Sequence, residues 1–321
     1  MIKYVIKRLL MMIPILLGIT LVVLLFITIA PGDPVRMMLS NEATEEEIQA
    51  VREQLGLNDP FFVRYGRFLW GAVRGDFGKS YSNDRLIVDE MMQRLKYTVV
   101  IAILSTILSV VIGVPLGIYA ATHQYTWKDN AAVTLSLVCI SVPSFWLALL
   151  MVQFFSITLG WLPPAGIESW KGWVMPTFSL GVGYAAMITR MMRSNLLEVI
   201  SMDYITTARA KGQTEFVVIY RHALKNAIIP IVMIVASIFG ASLGGAMIAE
   251  IIFSVPGLGQ YMLSGLTARD YPVIQSTSFF MSVIASMVIL IIDVAFAFID
   301  PRIRSQYVGK KKKQKIGGAV K

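Results

Sequence analysis

Charge is scarce in this chain. Only 15% of its 321 residues are Asp, Glu, Lys or Arg, against about 25% in an average soluble domain. With 56% of residues hydrophobic and a mean hydropathy of +0.66, the apolar surface exceeds what one aqueous core conceals, which excludes an ordinary soluble globule. Cysteine is almost absent: Cys139 stands alone in an apolar run, so there is neither a disulfide framework nor a cysteine metal site. The two histidines, His123 and His222, are far apart and lack neighbouring ligands, which argues against a metal centre. Nucleotide-binding and hydrolytic signatures are missing too. "VRGDFGKS", Val73 to Ser80, ends like a phosphate-binding loop, but valine stands where the first glycine is required. There is no His-Glu-x-x-His pair and no Gly-x-Ser-x-Gly elbow. No cofactor is expected on this chain.

What the sequence has in abundance is long apolar segments. A helix needs about 20 such residues to cross a bilayer. Six stretches qualify: 9–30, 98–121, 131–160, 173–188, 227–252 and 278–299. The third contains Ser141, Pro143 and Ser144, which predicts a kink; the fourth is the shortest and carries Pro176, Gly181 and Gly183. The first follows Lys3, Lys7 and Arg8 but is too long for a cleaved leader, and no small-residue cleavage site follows it. The expected fold class is therefore an all-α polytopic membrane protein with six transmembrane helices in a single domain, 1–321.

Basic residues set the expected orientation. With the N-terminus in the cytoplasm, Lys3, Lys7, Arg8, Lys128, Arg190, Arg193, Arg209, Lys211, Arg221 and Lys225 fall inside, together with the basic tail 301–321. The short outer loops then hold only Lys171 and Arg269. The positive-inside rule favours this arrangement, with both termini cytoplasmic. The net charge of +9 tracks the segments between apolar runs, so membrane lipid rather than nucleic acid is the expected partner of the basic tail.

The long first loop, 31–96, is expected outside. Thr44 is placed to cap a helix whose first turn carries Glu45, Glu46 and Glu47, and Gly56 to end it. Phe61, Phe62, Tyr65, Phe68, Leu69 and Trp70 form an amphipathic aromatic patch suited to the membrane interface. A docking surface and a structural cap over the spans both fit this loop. Two carboxylates fall within spans, Glu250 and Asp293. Ionisable groups there are costly and mark pathway or packing positions. Packing is the favoured reading, with Arg269 a candidate partner of Glu250 and a Ser or Thr that of Asp293. "GVPLG", Gly113 to Gly117, and "GASLG", Gly240 to Gly244, place glycines four apart, for contact within the chain or with a second subunit.

The largest internal cytoplasmic segment, 189–226, contains "DYITTARAKGQ". Asp203 suits an N-cap for a short helix from Tyr204 to Lys211, Arg209 and Lys211 complement its C-terminal dipole, and Gly212 suits the left-handed stop. Thr214 then caps a further helix leading to the fifth span. Isolated helices need roughly 12–15 residues to hold, so this one requires support from its own chain or from a cytosolic partner.

"DYITTARAKG" followed by "RHALKNAIIP" resembles the EAA loop of permease subunits of binding-protein-dependent ABC importers. Thr206-Thr207-Ala208 stand where that motif has Glu-Ala-Ala, a departure shared by the dipeptide/oligopeptide/nickel branch, and Gly212 matches its glycine. "APGDP" (Ala30–Pro34), "GDFGKS" (Gly75–Ser80), "FSVPGLG" (Phe253–Gly259), "RDYP" (Arg269–Pro272) and "DPRIR" (Asp300–Arg304) add to the resemblance over almost the whole chain. The resemblance implies a multi-pass permease subunit in the plasma (inner) membrane of a prokaryote, paired with a homologous second permease subunit. Two cytosolic ATP-binding subunits would carry ATP and Mg, and an extracytoplasmic solute-binding protein would deliver di- or oligopeptides. Nickel chelates and glutathione-like solutes are the alternatives. It also implies that Asp203, Tyr204, Thr207, Ala208, Arg209, Ala210, Lys211 and Gly212 form the ATPase-coupling loop. Ala208 would allow close approach, while Arg209 and Lys211 would offer donors to the partner. An ion-coupled secondary transporter would instead need coupling-ion sites in broken, repeated helices, for which Glu250 and Asp293 are the available residues. A membrane-embedded enzyme would need a nucleophile–base constellation, and none shows.

Overall fold

The computed structural model describes residues 2–30, 32–39 and 43–299. Among them the chain is helical, with no strand and one isolated bridge between Lys79 and Leu86. In order, α1 is Ile2–Ile29, α2 Pro34–Met38, α3 Glu45–Gln54, α4 Phe61–Arg74, α5 Ile87–Thr122, α6 Trp127–Ser141 and α7 Ser144–Met151, the last continued by a π-helical stretch, Val152–Thr158. There follow α8 Val174–Ile200, α9 Asp203–Ala210, α10 Glu215–Val217, a second π-helical stretch Val218–Ala223, α11 Leu224–Ile252, α12 Leu258–Thr267 and α13 Tyr271–Ile299.

Among the described residues, four helical segments are long and apolar enough to cross a bilayer: Val5–Ile29, Ile87–Thr122, Glu215–Ile252 and Tyr271–Ile292. A fifth arises if α6 and the run from Ser144 to Thr158 count as one span, bent by 95°. The bend is chemical in origin. Pro143 disfavours helical backbone at the residue before it, and Val142 is extended, with φ −78° and ψ 120°. The remaining expected span, α8, is long enough but less apolar. It is packed by α6, α7 and α11 and buries Thr177, Ser179 and Thr189 among its apolar residues. Where membrane helices face one another rather than lipid, small and polar residues such as Gly, Ala, Ser and Thr are favoured.

The chain divides into two compact units, 1–92 with 262–321, and 93–261. In the first, α1 packs on α13 and α4. Tyr65 donates to the Leu17 carbonyl at 2.9 Å, and Phe68 meets Phe279 edge-on at 5.8 Å. Thr44 and Glu47 form a reciprocal capping box at the start of α3, and Gly56 follows its end with φ +64°, both as the sequence indicates. Asp270 is 2% exposed and accepts from the Ser80 hydroxyl at 2.6 Å and the Ser82 N–H at 3.1 Å, fixing the 78–86 turn to the start of α13.

In the second unit α5 and α8 approach closely. A Cβ at Gly113 would lie 2.6 Å from the Ala185 carbonyl, and one at Gly117 2.5 Å from Met192 Cβ. The first glycine pair therefore serves packing within the chain. Gly244, of the second pair, faces open space. One core cluster joins Ile118 and Ala121 of α5, Ile188, Met192, Leu196 and Val199 of α8, Ile205 and Ala208 of α9, and Ala227, Ile231 and Ile238 of α11.

Candidate functional site

The segment between α8 and α11 is built from α9 outward. Ile205 and Ala208, three residues apart, share one face and are 0% and 8% exposed. They join the cluster of α5, α8 and α11 residues, so the marginal helix is supported by its own chain. The opposite face, Asp203, Tyr204, Thr206, Thr207, Arg209 and Ala210, is exposed, as are Lys211 and Gly212 beyond it. Ala208 is thus turned inward, away from that surface.

The caps differ from expectation in one respect. Met202 occupies the N-cap position without a side-chain bond, and Asp203 is the first helical residue. Its charge still lies at the positive end of the helix. Lys211 is the C-cap, and Gly212 takes the left-handed conformation at φ +77°, as its chemistry indicates. Thr214 occupies the N-cap position of α10, but its hydroxyl makes no cap bond.

Two side-chain ties close the segment. The Arg209 guanidinium grips Glu215, Nε to Oε1 at 2.7 Å and Nη2 to Oε2 at 3.2 Å, and this hydrogen bonding raises Arg209 above its ordinary pKa range. Arg209 therefore pairs within the chain across the Gly212 turn, where the sequence suggested donors free for a partner. The Asn226 amide donates to the Tyr204 hydroxyl at 2.7 Å, linking α9 to the foot of α11. Sequence places Glu215 in the first turn of the helix after Thr214 but does not pair it with Arg209, and it does not single out Asn226; the six-residue separation of Arg209 and Glu215 across a glycine turn is the available signal.

Glu250 is 0% exposed. Its Oε1 accepts from the Thr98 hydroxyl at 2.5 Å, and its Oε2 from the Gly259 and Gln260 N–H groups at 2.7 and 3.1 Å. Thr98 in turn accepts from the Leu258 N–H at 2.9 Å. The carboxylate thus serves as a distant N-cap for α12 and joins it to α5 and α11. These partners correct the suggested pairing with Arg269, whose guanidinium lies over Gly32 instead, where a Cβ would meet it. Asp293 lies on α13, but its side chain is outside the described residues.

A cavity of about 1340 Å³ opens in the first unit. Its walls include Glu53, Asp59, Arg64, Arg67, Trp70 and Tyr81, so both charge signs face it. Arg67 pairs with Asp59, and Arg74 lies 4.3 Å over the Trp70 ring. Burial pushes the Tyr81 phenol up to about 12, opposed by the nearby Arg64 charge.

Comparison with known proteins places this arrangement in context. Residues 113–305 match the family model described as "Binding-protein-dependent transport system inner membrane component", and residues 1–102 match its N-terminal companion. The glutathione transport system permease protein GsiC of Escherichia coli (strain K12) is 40% identical over 304 residues, 95% of this chain and 99% of GsiC. GsiC of Shigella dysenteriae serotype 1 (strain Sd197) and of Salmonella paratyphi A (strain ATCC 9150 / SARB42) match to the same extent. Among solved structures, a chain of the inward-facing MetNI methionine ABC transporter superposes with a TM-score of 0.57 at 19% identity, over 66% of this chain and 96% of that one. At that identity the likeness is one of fold.

Proposed function

The chain belongs to the family of inner-membrane components of binding-protein-dependent transport systems, and from that premise we propose that it is the subunit through which di- or oligopeptides enter the cell. As a member it is a multi-pass inner-membrane permease subunit of an ABC importer. In our reading α8 and the bent α6–α7 segment complete six spans, and both termini are cytoplasmic. ATP and Mg act on two separate cytosolic subunits, a homologous second permease completes the pathway, and an external binding protein delivers the solute. Glutathione, the solute named for the 40% identical relatives, is the alternative solute for the same importer class.

The observation that carries this reading is α9. It is a short helix anchored in the core by Ile205 and Ala208, with an exposed face bearing Asp203, Tyr204, Thr207 and Lys211. A surface so held delivers force from a docked ATPase to α5, α8 and α11 with little loss in bending. The aromatic outer segment, with its cavity of mixed charge, is the corresponding face for the binding protein. Alternating access follows: ATP binding closes the ATPase pair, α9 is displaced, and the spans open outward to receive solute.

The test is reconstitution of the permease pair with its ATPase subunits and binding protein in liposomes. Labelled dipeptide, tripeptide or glutathione is expected to enter only when ATP and the binding protein are both present. Gradient-driven uptake by this chain without ATPase subunits would overturn the reading. ATP-driven uptake of none of these solutes would overturn the substrate class.

A further inference from the structure

Arg193 and Asp129 form a two-pronged ion pair, with Nε 2.5 Å from Oδ1 and Nη2 2.6 Å from Oδ2. The Asp129 side chain is 2% exposed and that of Arg193 25%. Asp129 Oδ2 also accepts the Tyr125 N–H at 3.1 Å, at a residue held in the left-handed region with φ +63°. One carboxylate therefore binds three things: the turn between α5 and α6, the first turn of α6, and α8. Arg193 stands seven residues before the end of α8, roughly 10 Å at the helical rise. Beyond that end lies α9, sharing a core cluster with Met192 and Leu196 of the same stretch of α8.

A buried ion pair is a weak source of stability, because desolvation offsets its attraction. A forked guanidinium–carboxylate contact does fix orientation as well as distance. At this place, orientation matters. The foot of α8 can follow α9 through shared apolar packing, but α6 has no residue in that cluster. The ion pair ties its foot to α8.

We propose that Asp129 and Arg193 are positioning residues of the transport cycle: their pair makes the 123–126 turn and the feet of α6 and α8 one body, so that displacement of α9 reaches α6 and the bent segment beyond it. The proposal rests on the reading of α9 as the helix that the ATPase moves.

The test uses the complete reconstituted importer, with ATP hydrolysis and uptake measured in parallel. Asp129→Asn removes the charge, and Arg193→Lys keeps the charge but removes the fork. Both are expected to keep ATPase association and basal hydrolysis, while solute moved per ATP falls on the order of tenfold, within the range that coupling residues reach. An unchanged ratio, or a proportional fall of hydrolysis and uptake, would overturn the proposal. A second measurement leaves the pair intact. Spin labels at the exposed positions Asn130 and Ser194, in a Cys139→Ser background, are expected to hold one separation in nucleotide-free and ATP-bound states. A change between the states overturns the clamp even where the substitutions fail to assemble. Gly212→Val run beside them separates the two readings. If it leaves uptake intact, the assignment of α9 fails; if it abolishes uptake while the label separation changes, only the clamp fails.

Discussion

The Glu250 carboxylate and the Thr98 hydroxyl stand 2.5 Å apart, across 152 residues of sequence, and neither is more than 2% exposed. Between them they satisfy three N–H groups at the start of α12. Removing either leaves buried donors without acceptors. Glu250→Ala is expected to cost about 2–3 kcal/mol or more, and Thr98→Val about 1–2 kcal/mol, by the usual penalty for unsatisfied buried groups. Glu250→Gln retains an acceptor oxygen and is expected to be milder than Glu250→Ala. Thermal unfolding of the detergent-solubilised subunit measures the order; equal midpoints for all three would refute the cap.

Gly212 makes a contrasting case. A Cβ there meets nothing within 4 Å, but its φ is +77°. Substitution is therefore penalised through the backbone. Gly212→Val is expected to cost about 1–2 kcal/mol locally, since left-handed backbone disfavours β-branched residues, and to abolish ATP-driven uptake and co-purification of the ATPase subunits. Gly212→Asn should retain most of both, because Asn tolerates that region. Identical loss in the two variants would point to space rather than conformation.

Gly117 and Gly244 separate two uses of small residues. Gly117→Ala inserts a methyl into α8 side-chain and backbone atoms, and overpacking of this kind costs about 1–3 kcal/mol. Gly244→Ala enters open space and should leave the isolated subunit unchanged. If the Gly244 face meets the second permease, the same substitution will weaken recovery of the pair in pull-down; full recovery would remove that face from the interface.

Tyr81 supplies a pH signature. Its neutral form is favoured by burial, and its pKa is raised to about 12, whereas an unfolded tyrosine ionises near 10. The folded state holds its proton longer, so this contribution is complete below about pH 10 and falls as pH rises toward 12. Tyr81→Phe should flatten that part of the unfolding-midpoint profile. An unchanged alkaline slope would show that the phenol is not buried.

Local chemistry was readable from sequence at Thr44, Gly212 and Pro143, but not at Asp203, whose cap position Met202 takes, at Thr214, whose hydroxyl makes no cap bond, or in the Arg209–Glu215 pair six residues apart. The Thr44–Glu47 box needs three residues, and the Gly212 stop needs one. The break at Pro143 likewise follows from two adjacent residues. Helix ends were less readable. α5 begins at Ile87, ahead of the apolar stretch that the sequence marks from 98, and carries Asp89 and Glu90 in its first turn. α8 runs on to Ile200, past the apolar stretch, and includes Arg193, whose partner Asp129 sequence did not reveal. The partners of Glu250 and Arg193 lie 152 and 64 residues away, and only tertiary packing brings them together.

The wide turns at Val152–Thr158 and Val218–Ala223 bear on how chain length can vary. In an α-helix each added or lost residue rotates everything beyond it by roughly 100°, given 3.6 residues per turn. A π-helical stretch already holds surplus chain within its loop of backbone bonds. Loss of one residue between 218 and 223 can convert that stretch to ordinary α-helix while α9 on one side and the buried face of α11 on the other keep their phase. The same deletion between Ile231 and Ile238 would put the two on different faces and take one of them out of the core they share. Differences in length among relatives should therefore collect at these two places and be missing from the regular helix between Leu224 and Ile252.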